Sequence, residues 1–226
     1  MKTATLAILV IAVSLFYGCA SEGMTPTSGS ADGAAAPQSI DSLSFKVGDS
    51  CTFRYNHNGR KVQGVERVTD ISNGLITIAV EGVGVTGTKQ MLEERTYSWH
   101  VGYNLIHGTP MEANPAYMWV ELPIKPGTVW TTSSTVAGTS YKGEPWKVDV
   151  TAKWQADRWE KVKVPAGEFL ALKVTAREKQ VNERGKQFSG TVALWMAPGI
   201  GCPIKIELKN SFGDFGSREL LSNATN

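Results

Sequence analysis

Residues 169 to 179 read FLALKVTAREK, and the fold turns on this stretch. Leu170, Leu172, Val174 and Ala176 alternate with Lys173, Thr175 and Arg177. A two-residue period sets the apolar group on one face of a strand and the polar group on the other. A helix would scatter both groups around its circumference. The alternation returns in KVDVTAKW, residues 147 to 154, where Val148, Val150, Ala152 and Trp154 oppose Lys147, Asp149, Thr151 and Lys153. LITIAVEG follows Asn73-Gly74, a dipeptide suited to the left-handed turn of a hairpin. Further turns are expected at Asn58-Gly59, Lys142-Gly143, Ala166-Gly167 and Arg184-Gly185. No long stretch keeps a helical period, and one polar face per strand fits antiparallel pairing. The expected fold is all-β, an antiparallel curved sheet of about nine to twelve strands closing into a barrel or half-barrel.

An internal echo supports two similar β-meander halves. KVGDSCTF (residues 46 to 53) and KPGTVWTT (residues 125 to 132) each carry a Lys, a Gly two residues on, and Cys or Trp three residues later. Shared turn chemistry alone would also produce such a match.

Upstream of the strands the chain changes character. MKTATLAILVIAVSLFYGC holds an early Lys2, an apolar run from Ala4 to Tyr17 and a small Gly18 before Cys19. That is the layout of an export signal over residues 1–18. The apolar run is shorter than the about 20 residues that span a bilayer as a helix. Phe16-Tyr17-Gly18-Cys19 resembles the motif at which bacterial lipoproteins are cut and acylated, which makes Cys19 the expected lipidation site. Ordinary cleavage after Ala20 would discard that cysteine. Residues 19–44 are rich in Ser, Ala, Gly and Pro and read as a lipidated cysteine followed by a flexible tether. Ala20, in place of an aspartate, points by analogy with enteric lipoproteins to the outer membrane. Residues 45–226 then form a single β domain, a length that one core can serve.

The formal net charge is +2. Basic residues are dispersed through the strands, as Lys205 and Lys209 alternate with apolar neighbours, so the chain shows no nucleic-acid footprint. Two cysteines remain beyond the tether. Cys51, Phe53 and Tyr55 share one face of a strand, and Cys202, Ile204, Ile206 and Leu208 share one face of another. Both sulfurs are expected to point inward from neighbouring strands of a closed sheet, where a disulfide forms. Two separate buried thiols are the alternative.

KVKVPAGEFLALKV and LWMAPGIGCPIKIEL carry a wider likeness. Val164, Pro165, Ala166, Gly167, Phe169, Ala171, Lys173 and Val174, then Trp195, Ala197, Pro198, Gly199 and Gly201, resemble the TapB-like, domain-of-unknown-function 3108-like family of bacterial envelope proteins. The resemblance implies a curved antiparallel sheet or barrel, no catalytic residues, and structural roles for these positions. Pro165 and Gly167 make a tight reversal, Phe169 plugs the core beside it, and the Ala-Pro-Gly-Ile-Gly run redirects the chain. Cys51 replaces the family's usual aromatic residue and Cys202 a usual aliphatic one, a paired departure that favours the disulfide.

Catalytic constellations are missing: the chain has no Gly-x-Ser-x-Gly elbow, phosphate-binding loop or His-Glu-x-x-His. His57 sits in a turn, and His100 with His107 lack a third donor for a metal. Neither metal, cofactor nor enzymatic activity is expected. The tryptophans are the stronger lead. Tyr97 and Trp99 share a face, as do Tyr117 and Trp119, while Met118, Val120 and Leu122 take the opposite face. A strand apolar on both faces is covered on both, by the rest of the fold or by a ligand or partner. The expected function is non-enzymatic: an outer-membrane-tethered lipoprotein that binds an apolar or lipid-like molecule. The alternative is an accessory lipoprotein docking to a larger envelope assembly.

Overall fold

The computed structural model describes residues 37–82, 87–92, 96–101, 111–139, 143–211, 213 and 215–225. The export segment, Cys19 and the tether up to residue 36 lie outside the described residues, as does His107. The chain forms β1 (Ser50–His57), β2 (Arg60–Ser72), β3 (Leu75–Glu81), β4 (Gly87–Leu92), β5 (Thr96–Val101) and β6 (Met111–Glu121). β7 (Val129–Thr139), β8 (Pro145–Val164), β9 (Gly167–Asn182), β10 (Gln187–Met196), β11 (Lys205–Asn210) and β12 (Phe215–Ala224) follow. All belong to one antiparallel sheet of 12 strands, ordered β4-β3-β2-β1-β12-β11-β10-β9-β8-β7-β6-β5. Except for β4 and β5, strands adjacent in sequence pair with each other, and β12 pairs with β1. Among the described residues no ladder joins β4 to β5, yet their Cα atoms approach within 8 Å. The sheet thus curls on itself with one seam that hydrogen bonds do not close.

Local chemistry explains the reversals. Asn58 and Gly59 take φ of 47° and 86°, and Asn73 and Gly74 take 53° and 74°, the left-handed pair that hairpins with right-handed strand twist require. At the tip of β8–β9, Gly167 has φ 138°.

The echo between residues 46–53 and 125–132 is structural. Asp49 N–H donates to Lys46 O and Thr128 N–H to Lys125 O, each at 3.0 Å. Lys46 N–H is received by Asp49 Oδ2 at 2.8 Å, and Lys125 N–H by Thr128 Oγ1 at 3.2 Å. Gly48 N–H reaches Val68 O, and Gly127 N–H reaches Ala156 O, both at 2.8 Å. In each case the receiving strand bulges just beyond that residue, between Val68 and Asp70 in β2 and between Ala156 and Trp159 in β8.

The inward face is apolar. Trp154, Leu172, Leu194 and Met196 are fully buried, with Val174, Ala152 and Ala156 beside them. Burying a Leu or Met contributes about 1.5–3 kcal/mol. Past its bulge β8 changes neighbours, and Val162 and Val164 join a second cluster with Phe53, Trp195, Ile200, Ile204 and Leu220. The tip of β8–β9 reaches β12, where Ala166 N–H donates to Leu220 O at 3.0 Å. Phe169 is half-buried against this second cluster.

Two expectations need correcting. The tether was to run flexibly to residue 44, but Ile40 is 5% exposed and pairs with Ile124 through hydrogen bonds of 2.8 and 2.9 Å. Leu43 and Phe45 pack on the same core. Residues 40–45 are therefore a strap across one end of the barrel, because Ile40, Leu43 and Phe45 give that segment apolar surface to bury. Cys202 does not begin a strand next to β1. It lies in the 197–204 connection, and β12 separates β11 from β1. Gly199, at φ 76°, turns the chain out of β10, and Pro203 has no N–H for a ladder. The sulfur still meets its partner: Cys51 and Cys202 are bonded across 151 residues of sequence.

Candidate functional site

β6 explains the two-faced apolar pattern without a covering layer. Tyr97 pairs with Val120 and Ser98 with Met118, so Trp119 is the extra residue of a bulge. The bulge brings Val120 to the same side as Tyr117, and both are buried in the main core. The expected separation of Tyr117 from Val120 onto opposite faces does not occur. Trp119 itself is half-buried. The backbone of Trp99 pairs with Tyr117, while the side chains of Tyr97 and Trp99 lie outside the described residues.

Pro115 shapes the β6–β7 boundary. Their ladder runs from Met111↔Gly138 to Asn114↔Thr135 and stops where Pro115 lacks a donor. Buried hydroxyls continue the connection: Ser134 Oγ donates to Pro115 O at 2.6 Å, and Thr132 Oγ1 to Met118 O at 2.8 Å.

Beside these hydroxyls sits a carboxyl. Glu178 follows Ala176 on the inward face of β9, opposite Gly190 on β10 and Ala152 on β8. Tyr117 Oη donates to Glu178 Oε1, and Gln180 also hydrogen-bonds the carboxyl. Burial is the main influence on Glu178 and raises its pKa above the ordinary range, against the lowering effect of those hydrogen bonds. Tyr117 is pushed far above the usual phenol range by burial first and by Glu178 second, so it keeps its proton and donates. Alternation along β9 already places residue 178 on the apolar face, a signal that stopping at Ala176 overlooks.

Nearby, Trp130 and Trp154 stack with centroids 6.0 Å apart and planes 4° from parallel. Among the described residues the indole N–H groups of Trp130, Trp154 and Trp159 have no acceptor. A second polar group lies nearer the strap. Arg218 Nη1 donates to Glu66 Oε1 at 2.6 Å, and the guanidinium lies 3.9 Å from the centre of the Phe53 ring. Tyr55 Oη donates to the same Glu66 oxygen at 3.3 Å. A crevice of about 30 Å³ is lined by Glu66, Cys51, Cys202, Ser44 and Phe45. That volume suits a water molecule.

The motif residues of the resemblance are spread around the strap end of the barrel. Pro165, Pro198 and Gly199 are exposed in turns. A Cβ on Gly201 would stand 2.6 Å from Ser44 O and 2.8 Å from the Phe45 ring, so glycine there admits the strap. Trp195 is 5% exposed, with Lys173 Nζ and Lys205 Nζ 5.1 and 4.9 Å from its ring centre. Its Nε1 donates to Glu160 Oε1 at 2.7 Å, the main reason that carboxyl lies below its ordinary range. No group of at least three metal-ligating side chains gathers among the described residues.

No family model and no curated protein matches the chain. Solved structures do share its fold. A protein from Bacteroides fragilis, assigned as exported and described as having a YmcC-like fold, superposes with a TM-score of 0.53 at 13% identity, covering 84% of this chain and 100% of its own. A protein from Parabacteroides distasonis, assigned as a lipoprotein, gives 0.54 at 11% identity over 84% of this chain and 100% of its own. At such identities the likeness is one of fold: a curved antiparallel sheet that recurs among proteins of these kinds.

Proposed function

We propose that this chain is a non-enzymatic lipoprotein of the bacterial cell envelope, held at the outer membrane through acylated Cys19, whose barrel serves as a solid accessory body. The observation that carries this reading is the close packing of the inward face among the described residues. Trp154, Leu172, Val174, Leu194 and Met196 are fully buried, and small Ala152 and Ala156 fit between larger neighbours. Carriers enclose pockets of about 300 Å³ or more. The fold relatives assigned as exported or as a lipoprotein support the compartment, and so does the TapB-like motif around Pro165 and Trp195.

A second reading, a holder of an apolar or lipid-like ligand, is favoured by the buried indole donors of Trp130, Trp154 and Trp159 beside Tyr117 and Glu178. Trp119, half-buried at the β6 bulge, would line the approach. Native mass spectrometry of the protein exported to a periplasm and purified without detergent separates the two. A bare polypeptide mass is expected; a reproducible extra mass lost on denaturation would favour the holder. Acylation is tested on the membrane-extracted protein, where an intact mass without acyl chains at Cys19 would remove the anchor.

A further inference from the structure

On the outer wall of β8–β11 the strand register aligns bases that lie far apart in the sequence. Lys153 stands opposite Arg177, Arg177 opposite Thr191, and Thr191 opposite Lys209. All four are exposed, whereas Ala152, Trp154, Ala176 and Val192 beside them are buried. One row away, Lys179 is exposed between Thr151 and Ser189. Strands about 4.8 Å apart make Lys153, Arg177 and Lys209 a row roughly 14 Å long.

The wall does little to neutralise that row. Of the acids on this face, Glu207 is engaged by Lys205 Nζ at 2.7 Å, Asp149 accepts from Thr135 Oγ1 at 2.7 Å, and Asp157 accepts from Thr175 Oγ1 at 3.1 Å. Among the described residues Lys153, Arg177, Lys179 and Lys209 form no salt bridge. Like charges directly opposite one another weaken a sheet. The arrangement therefore works against the fold, and hydroxyls, not carboxylates, interleave it. Cations on a sheet wall with hydroxyl donors between them match a layer of phosphates, which offers only acceptors and negative charge.

We propose that the β8–β11 wall rests on the anionic phospholipid surface of the membrane. The choice of surface rests on the anchored reading above. Residue 37 follows Cys19 by only 18 positions, so an acyl anchor there would hold wall and headgroups within a small shared volume. Each basic side chain near such a surface strengthens attachment about fivefold, an effect that salt screens.

The test uses the full-length protein extracted from bacterial membranes. It is mixed with vesicles of phosphatidylcholine alone and with vesicles of equal parts phosphatidylcholine and phosphatidylglycerol, and lysine acetylation is read by mass spectrometry. Acetylation of Lys153, Lys179 and Lys209 is expected to slow several-fold on the anionic vesicles only, to recover in high salt, and to leave Lys61 and Lys125 unchanged. Flotation with the neutral vesicles reads the anchor separately. Should the protein not float there, flotation with anionic vesicles still reads the wall, and Lys153→Gln/Arg177→Gln/Lys209→Gln is expected to bind about a hundredfold more weakly. These positions are exposed, so the variant keeps the core. Equal acetylation on both vesicle types would overturn the proposal. So would protection by soluble dextran sulfate without protection by anionic vesicles, which would assign the wall to an acidic glycan or protein.

Discussion

Arg218 and Glu66 form an ion pair inside the barrel, with side chains only 7% and 4% exposed. Tyr55 and the Phe53 ring complete its surroundings. Removing one member strands the other charge in the core. Glu66→Ala or Arg218→Ala should therefore cost about 3–5 kcal/mol in urea unfolding, while Glu66→Leu combined with Arg218→Met should cost far less than the sum. Additive losses in the double variant would mean that the two groups do not act as a pair.

Glu178 makes stability depend on pH in the direction opposite to most carboxylates. Burial holds its folded pKa above the ordinary 4.5, so the folded chain keeps a proton that the unfolded chain gives up. The contribution is complete below the unfolded value and is lost as pH rises through the folded one. The difference in melting temperature between Glu178→Gln and the parent should widen in the variant's favour over that rise. A constant difference across the range would show that Glu178 titrates normally.

The Cys51–Cys202 bond closes a loop of 151 residues. Chain entropy for that loop corresponds to about 5 kcal/mol of stability. Reduction, or Cys51→Ala with Cys202→Ala, should lower the melting temperature by about 10 °C or more. A shift of only a degree or two would place the stabilisation elsewhere.

Gly201 and Gly199 are glycines for different reasons. Gly201→Ala drives a Cβ into the Ser44 carbonyl and the Phe45 ring, so it should cost about 1–3 kcal/mol and speed amide exchange at residues 40–45. Gly199→Ala meets no atom within 4 Å but forces φ 76° on a residue with a Cβ. It should cost about 1 kcal/mol and leave exchange in the strap unchanged. Identical exchange in the two variants would count against close packing of the strap on Gly201.

Much of the fold is legible in the sequence because period-two patterns and left-handed turns are local. The Asn-Gly hairpins, the Pro165–Gly167 reversal and the matched Lys-x-Gly turns each depend on a few adjacent residues. What escapes depends on a single inserted residue or on distant contacts. The bulge at Trp119 shifts every later side chain of β6 to the other face, and no local preference announces it. Ile40 sits among Ser, Ala and Pro, and only Ile124 and the barrel end give it a place to bury. The alignment of Lys153, Arg177 and Lys209 requires the register of four strands. Glu178 and Glu66 are intermediate cases, since alternation puts each on an apolar face and a partner must be found across the barrel.

The strap and the disulfide together set how the molecule bears mechanical load. A pull arriving from residue 37 first meets the Ile40–Ile124 bridge, whose hydrogen bonds can break one after the other. Peeling can continue through Phe45 and past Gly201, but it stops at Cys51. There the tension divides covalently between β1 and the connection before β11. Residues 37–50 thus act as an extensible slack, and the barrel beyond them is fastened at two points of its rim.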